Sequence, residues 1–332
     1  MDLVKEKKHR FHAGLISLST SAFLLGLKFW GFYITGSEAV FSDAMETIVN
    51  VAAAMVALYV IIASAKPADR EHPYGHGKFE FFSAAFEGSL ITFAAILIMF
   101  EAIDALVNGS KLRNLDHGIS VILLAAVINF ILGLHLRYAG KRHKSPALEA
   151  SAKHVLSDVI TSVGVFVGLI LVRITGKEWI DAVTAILVAA FLGSTGGKVV
   201  YEAFSSLVDK EDINLLKQLL KSFTVNWFPG IIRVHHTRIM RSGNYHHIDA
   251  HVVLPEFWTV EQAHEETNRF EDKVIKDYPY EGEIHFHMDP CRRAYCKVCD
   301  YPKCPVRKEM FVERKPATFE EFVSPTESEE FQ

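Results

Sequence analysis

The sequence predicts an α-helical membrane protein with six transmembrane helices, followed by a carboxyl-terminal cytoplasmic α+β domain of order αββαβ. Three observations lead there. Half of the 332 residues are hydrophobic and only 22% are charged. Mean hydropathy is +0.17, high for a wholly water-soluble chain and low for one embedded throughout. The apolar residues gather in long runs before about Val208, after which charges become frequent. The expected divisions are a membrane domain over 1–208, a cytoplasmic domain over 209–290, and a Cys-rich knuckle with an acidic, disordered tail over 291–332. Net charge is -4, which gives no global basic field, so nucleic acid is not an expected partner.

A bilayer-spanning helix needs about 20 mostly apolar residues. Six stretches qualify: 12–35, 37–64, 79–107, 117–139, 147–173 and 179–205. The first is not a signal peptide, because its leader mixes Asp2 and Glu6 with the bases and no small-residue cleavage site follows. Gly36 turns the first run into the second, as in a helical hairpin. Lysine and arginine set the orientation. The leader and the second-to-third and fourth-to-fifth connections carry eleven, among them Lys8, Lys66 and Lys141, against four on the other side. Both termini are therefore expected in the cytoplasm, in agreement with an even number of spans.

Charged groups inside hydrocarbon cost several kcal/mol, so each is a functional candidate. The second span carries Asp43, Glu46 and Asn50 at i, i+3 and i+7, on one helix face. The fifth carries His154 and Asp158 at i, i+4, again on one face. The third carries Glu80 and Glu87. A carboxylate–amide face meeting a His–carboxylate face inside a helical bundle makes a small nitrogen–oxygen metal site. Lys28 reads as a snorkelling base or as the partner of one of these acids.

The second domain opens with a helix over 211–226, which Pro229-Gly230 breaks. Strands at 231–240 and 245–254 flank the turn signal Gly243-Asn244. A helix follows at 259–276, started by Thr259, and a strand at 283–288 closes the order. Eight histidines fall between His235 and His287. His285, His287 and Asp289 alternate on one strand face, as do His247, Asp249 and His251. Imidazole with carboxylate suits zinc and its neighbours. The second-to-third connection adds Asp69, His72 and His76, another ligand spacing.

All four cysteines, Cys291, Cys296, Cys299 and Cys304, lie within fourteen residues. A reducing cytoplasm disfavours disulfides there. Four closely spaced thiolates suit a structural zinc or an iron–sulfur cluster, and Pro302 and Pro305 suggest a compact knuckle. Beyond about Lys315 the Glu-rich composition predicts disorder.

Three motifs resemble the cation diffusion facilitator family of divalent-metal transporters. They are Ser37 to Glu46 in the second span, His72-Pro73-Tyr74-Gly75-His76-Gly77-Lys78 in the loop, and Ala152 to Asp158 in the fifth span. The second domain, ending His285-Phe286-His287-Met288-Asp289-Pro290, resembles the family's metallochaperone-like cytoplasmic domain. The resemblance covers roughly residues 5 to 290. It implies a homodimer that exports metal from the cytoplasm in exchange for protons. The transport site it implies pairs Glu46 and Asn50 with His154 and Asp158. His154 and Asp158 match the family pattern; Glu46 and Asn50 depart from it, because a His or Asp followed by Asp is usual there. Asn50 leaves one anionic ligand missing, which Asp43 or Glu87 could supply. The implied loop site is Asp69, His72 and His76, and the implied dimer-bridging sites draw on His235, His251, His264, His287 and Asp289.

No enzymatic activity is expected. His264-Glu265-Glu266-Thr267-Asn268 fails the zinc-protease pattern at its last position, and no phosphate-binding glycine motif is present. The rival reading is a non-transporting metal sensor or partner subunit of the same fold. Zinc and iron(II) are favoured over manganese, cobalt and cadmium. The expected location is a prokaryotic inner membrane.

Overall fold

Residues 1–208 and 209–332 form two separate units in the computed structural model. It describes residues 3–35, 38–108, 118–175, 177 and 179–326. The first unit holds six long helices: α1 (Leu3–Thr35), α2 (Glu38–Ser64), α3 (Phe79–Asn108), α4 (Gly118–His143), α5 (Pro146–Thr175) and α6 (Trp179–Leu207). They follow the six apolar runs of the sequence. Among the described residues, three stretches are long and apolar enough to cross a membrane: Lys8–Trp30, Phe79–Asn108 and Leu123–His143. The turn at Gly36 lies outside the described residues.

This unit is small-residue inside and apolar outside. Its interior is rich in alanine, as in the cluster Ala84, Ala85, Ala150, Val199 and Ala203 joining α3, α5 and α6. Its outer faces carry Phe86, Phe93, Phe100 and Leu187, all exposed. Close helix approach through small residues is the packing mode expected where lipid surrounds the bundle. At Gly196 on α6, an added Cβ would lie 2.8 Å from the Gly88 carbonyl oxygen of α3. Glu80 has a structural role. Buried at the start of α3, it accepts from Arg10 Nη1 at 2.8 Å, from Ser64 Oγ at 3.3 Å and from Ser145 Oγ. It thereby ties α1, α2 and the α4–α5 turn together. Lys28 is buried, not snorkelling outward.

The second unit runs α7 (Ile213–Asn226), β1 (Arg233–Ser242), β2 (Tyr245–Leu254), α8 (Val260–Asp277), β3 (Glu281–Pro290), a 3₁₀ turn (Arg293–Lys297) and α9 (Phe319–Val323). Asp212 caps α7 by accepting from the amides of Asn214 and Leu215, and Thr259 opens α8 with a capping box. The sheet order is β1-β2-β3, with β2 antiparallel to β1 and parallel to β3. Strand alternation divides the sheet chemically. Ile248, Ala250, Val252 and Ile284 face a core shared with Leu216, Leu219, Phe223, Phe270 and Val274. His247, Asp249, His251, His285, His287 and Asp289 take the other face, whereas His246 is buried on the core side against Tyr278 and Tyr280.

The tail departs from expectation. Acidic composition predicts disorder beyond Lys315, yet α9 forms and Phe322 is fully buried against Phe223, with ring centroids 5.3 Å apart. Two local signals outweigh composition. Thr318 and Glu321 form a capping box, and Phe319, Phe322 and Val323 give the short helix an apolar face. Buried Arg233 fastens the segment by donating to the Lys315 carbonyl at 2.5 Å and pairing with Glu321 at 3.4 Å.

Gly230, with φ +111°, turns α7 into β1 under the Trp258 ring, where a Cβ would lie 2.4 Å from the indole. Gly230→Ala is expected to cost about 2–4 kcal/mol in backbone strain and overpacking. A thermal melt of the full chain checks this, and a wild-type Tm would refute it.

Candidate functional site

The first constellation lies inside the helical unit. Asn50 on α2 donates from Nδ2 to Asp158 Oδ2 on α5 at 2.6 Å. Its Oδ1 accepts from His154 Nε2 at 2.8 Å. Asn50 and His154 are buried, at 9% and 6% exposure. The amide thus bridges the i, i+4 pair of α5 through both of its polar atoms, which a carboxylate at position 50 could not do without placing two anions together. Glu46 and Asp43 lie on α2, and their side chains are outside the described residues. Glu87 is buried on α3, and its Oε1 accepts from Ser151 Oγ at 2.8 Å. Ser151 precedes His154 by three residues, so Glu87 meets α5 one turn away from the Asn50 bridge.

The second constellation is the loop between α2 and α3. Asp69 Oδ1 accepts from the amides of Glu71 and His72, at 2.9 and 2.7 Å, which winds the chain into a tight turn. Gly75, at φ +78°, donates to the His72 carbonyl. The winding brings His72 Nδ1 to 3.4 Å and His76 Nε2 to 3.5 Å from the Asp69 carboxylate. One ligand atom from each of the three lies within 4.8 Å of the others. The His72 amide is the largest influence holding the Asp69 carboxyl below its ordinary value, so it stays anionic.

The third constellation covers the polar face of the sheet. His235, His251 and Asp289 offer ligand atoms that all lie within 4.8 Å of one another. His251 Nδ1 donates to Asp289 Oδ2 at 3.0 Å. His287, directly across from His251 in the parallel register, places its ring 4.5 Å from the His251 ring and Nε2 3.6 Å from Asp289. His264 does not join them. It is exposed on α8, where its Nε2 bonds Asn268 within the same helix.

His236 was not singled out by the sequence as a site residue, because neighbours in a regular strand point to opposite faces. A bulge between His235 and Arg238, with His236 at φ +49°, breaks that rule. The rings of His235 and His236 both come to about 5 Å from His251, at 5.0 and 4.9 Å. Bulges re-aim side chains in this way beside functional sites. Burial, then nearby Arg238, lowers the His236 pKa and favours the neutral imidazole that metal ligation needs. The sequence-level signal was the His-His pair itself.

The four cysteines line one cavity beside the end of β3, and all are free thiols. Burial pushes the Cys291 and Cys299 thiols up.

A helical unit with buried N/O side chains facing one another, joined to a module with a histidine-carboxylate face, is the arrangement that a membrane transporter for metal cations requires. Comparison with known proteins agrees. Residues 14–208 match the cation efflux transmembrane domain, and residues 208–291 match the cytoplasmic domain of cation efflux proteins. An uncharacterized transporter of Synechocystis sp. (strain ATCC 27184 / PCC 6803 / Kazusa) is 35% identical over 276 residues, 83% of this chain and 89% of that protein. The cation-efflux pump FieF of Yersinia pestis (strain Pestoides F) is 27% identical over 279 residues, 84% of this chain and 92% of that protein. Its counterpart in Salmonella newport (strain SL254) is 26% identical over 284 residues, with the same shares. The chain belongs to the cation diffusion facilitator family. That is a family of transporters, in keeping with the expectation of no enzymatic activity.

Proposed function

We propose that this protein is a homodimeric exporter of divalent metal, exchanging cytoplasmic zinc or iron(II) for protons through six membrane spans. The observation that carries this reading is the meeting of Asn50 with His154 and Asp158 inside the helical unit. An imidazole, a carboxylate and an amide carbonyl, with Glu46 a turn away on α2, form an oxygen-rich set with one nitrogen. Imidazole suits zinc and iron, and added oxygen donors suit the harder ions. Metal entry breaks the two Asn50 hydrogen bonds and frees the three side chains as ligands. Ligation requires the deprotonated forms, so binding displaces protons and a proton supply from the other side displaces the metal. Rigid-body rocking around a midplane site provides alternating access. The Asp69–His72–His76 loop and the His235–His251–Asp289 cluster, with His287 beside it, serve as additional metal sites. Both termini lie in the cytoplasm, and the host is a prokaryotic inner membrane.

The test is metal uptake into proteoliposomes holding the purified chain, across a panel of divalent ions, with a pH dye inside. Saturable flux of one or two metals with opposite proton movement supports the antiporter. Binding without flux under an imposed proton gradient supports a sensor of the same fold, a reading favoured by the neutral Asn50. In that event Asn50→Asp, which restores the missing charge, is expected to raise flux above background.

A further inference from the structure

Cys291, Cys296, Cys299 and Cys304 lie largely beyond the two matched domains, which end at residue 291. They nevertheless converge, lining a single cavity of about 280 Å³. We propose that this cavity holds a thiolate-ligated metal centre, separate from the histidine and carboxylate sites of transport.

Four features carry the assignment. All four cysteines line one space although the segment that bears them has little regular structure. Backbone amides already point at two of them: Glu256 N–H at Cys291 Sγ, 3.4 Å, and Lys308 N–H at Cys296 Sγ, 3.5 Å. Such donors stabilise thiolate and tune a bound centre. A guanidinium organises the loop from behind. Arg307 donates to the carbonyls of Cys296, Cys299 and Tyr301, each at 3.0 Å. The lining is also basic, with Arg292, Arg293, Arg307 and Lys308 against Glu256. Four thiolates around a zinc ion, or around an oxidised iron–sulfur cluster, leave a net negative charge that this rim offsets.

Two occupants share that chemistry, and the geometry leans toward one. A single tetrahedral zinc, with Zn–S of about 2.3 Å, needs all four sulfurs within about 3.8 Å of one another. Only two groups of three or more ligand atoms within 4.8 Å occur among the described residues, and neither contains a cysteine. No three of the thiols therefore gather within 4.8 Å, a looser arrangement than a single zinc imposes and one with room for a polynuclear centre. The spacing agrees, because Cys291-x4-Cys296-x2-Cys299 followed by the more distant Cys304 has the opening of the plant-type iron–sulfur pattern, which holds a [2Fe–2S] cluster.

The centre would clamp the segment between β3 and α9. Tyr295, Val298 and Cys299 pack on Ile232 and Val253 at the end of the sheet. Arg314 then pairs with Asp300 at 2.7 Å and donates to the Phe228 and Ile231 carbonyls, leading the chain toward α9.

The experiment purifies the full chain anaerobically in detergent and measures zinc, iron and acid-labile sulfide per chain. The same is done for a variant with all four cysteines replaced by serine. Alkylation rates of the native thiols by a maleimide are recorded on the wild-type protein. Iron with matching sulfide, lost in the variant and accompanied by at least 10-fold thiol protection, establishes the cluster. One extra zinc per chain, lost in the variant with the same protection, establishes the mononuclear centre. Equal metal content in both proteins, with thiols that alkylate as fast as in the denatured chain, overturns the proposal. The alkylation arm needs no variant, so misfolding of the serine protein cannot obscure the result. No arm reads flux, so failure here is distinct from failure of the transport reading.

Discussion

His154→Ala is expected to lower proton-driven metal flux at least 100-fold while leaving a folded protein. Asp158→Asn should do the same. Replacing groups that merely support a ligand typically costs 10–100-fold in metal affinity or activity, so loss of a ligand itself should cost at least as much. The two substitutions fail for different reasons. His154→Ala removes the one nitrogen donor at the Asn50 bridge and leaves Asn50 Oδ1 without its donor. An orphaned buried acceptor costs about 1–3 kcal/mol, so a modest drop in Tm should accompany it. Asp158→Asn keeps the shape and a hydrogen-bonding oxygen toward Asn50 but removes the negative charge. Its Tm should stay near that of the wild type while flux is lost. Proteoliposome uptake with a parallel melt reads both quantities. Wild-type flux from either variant would remove this pair from the transport site.

Phe322→Ala is expected to destabilise the second unit by about 3–5 kcal/mol, the usual range for truncating a fully buried phenylalanine. The ring sits at 0% exposure in the main core and meets Phe223 edge-on. For a domain of this size the loss corresponds to a fall in Tm on the order of 10 °C. Truncation after Lys315 should reproduce it, since it removes α9 and the Glu321 partner of Arg233 together. Scanning fluorimetry of the full chain checks both. An unchanged Tm in either would mean that the tail is an appendage and not part of the core.

The sequence made the elements legible because each had a physical signal. Long apolar runs marked α1 to α6, alternation marked the strands, and Gly243-Asn244 sits at the β1–β2 turn. Ligand types and spacing drew attention to Asp69, His72 and His76, the family resemblance added His235, His251 and Asp289, and the structure brings each trio together. What stayed hidden depended on contacts between distant segments or on local exceptions to period. Asn50 read as a neutral member of the set that leaves one anionic ligand missing, and its hydrogen bonds to both His154 and Asp158 of α5 were not legible. The α9 segment read as disordered because average composition hides a four-residue capping box. His264, which the family resemblance implies as part of a dimer-bridging site, lies apart from the other histidines of its own chain, exposed on α8.

The bulge at His236 also bears on how this strand can change length. Val234 and Ile239 both pack on the core, although they are five residues apart and a regular strand would turn them to opposite sides. The extra residue reconciles them. Deleting it, or inserting another nearby, would force one half of the strand to present its histidine or its arginine to the apolar interior. Point substitutions along β1 are therefore expected to accumulate more readily than insertions or deletions, and the number of residues between Val234 and Ile239 is expected to be the most constrained length in the module.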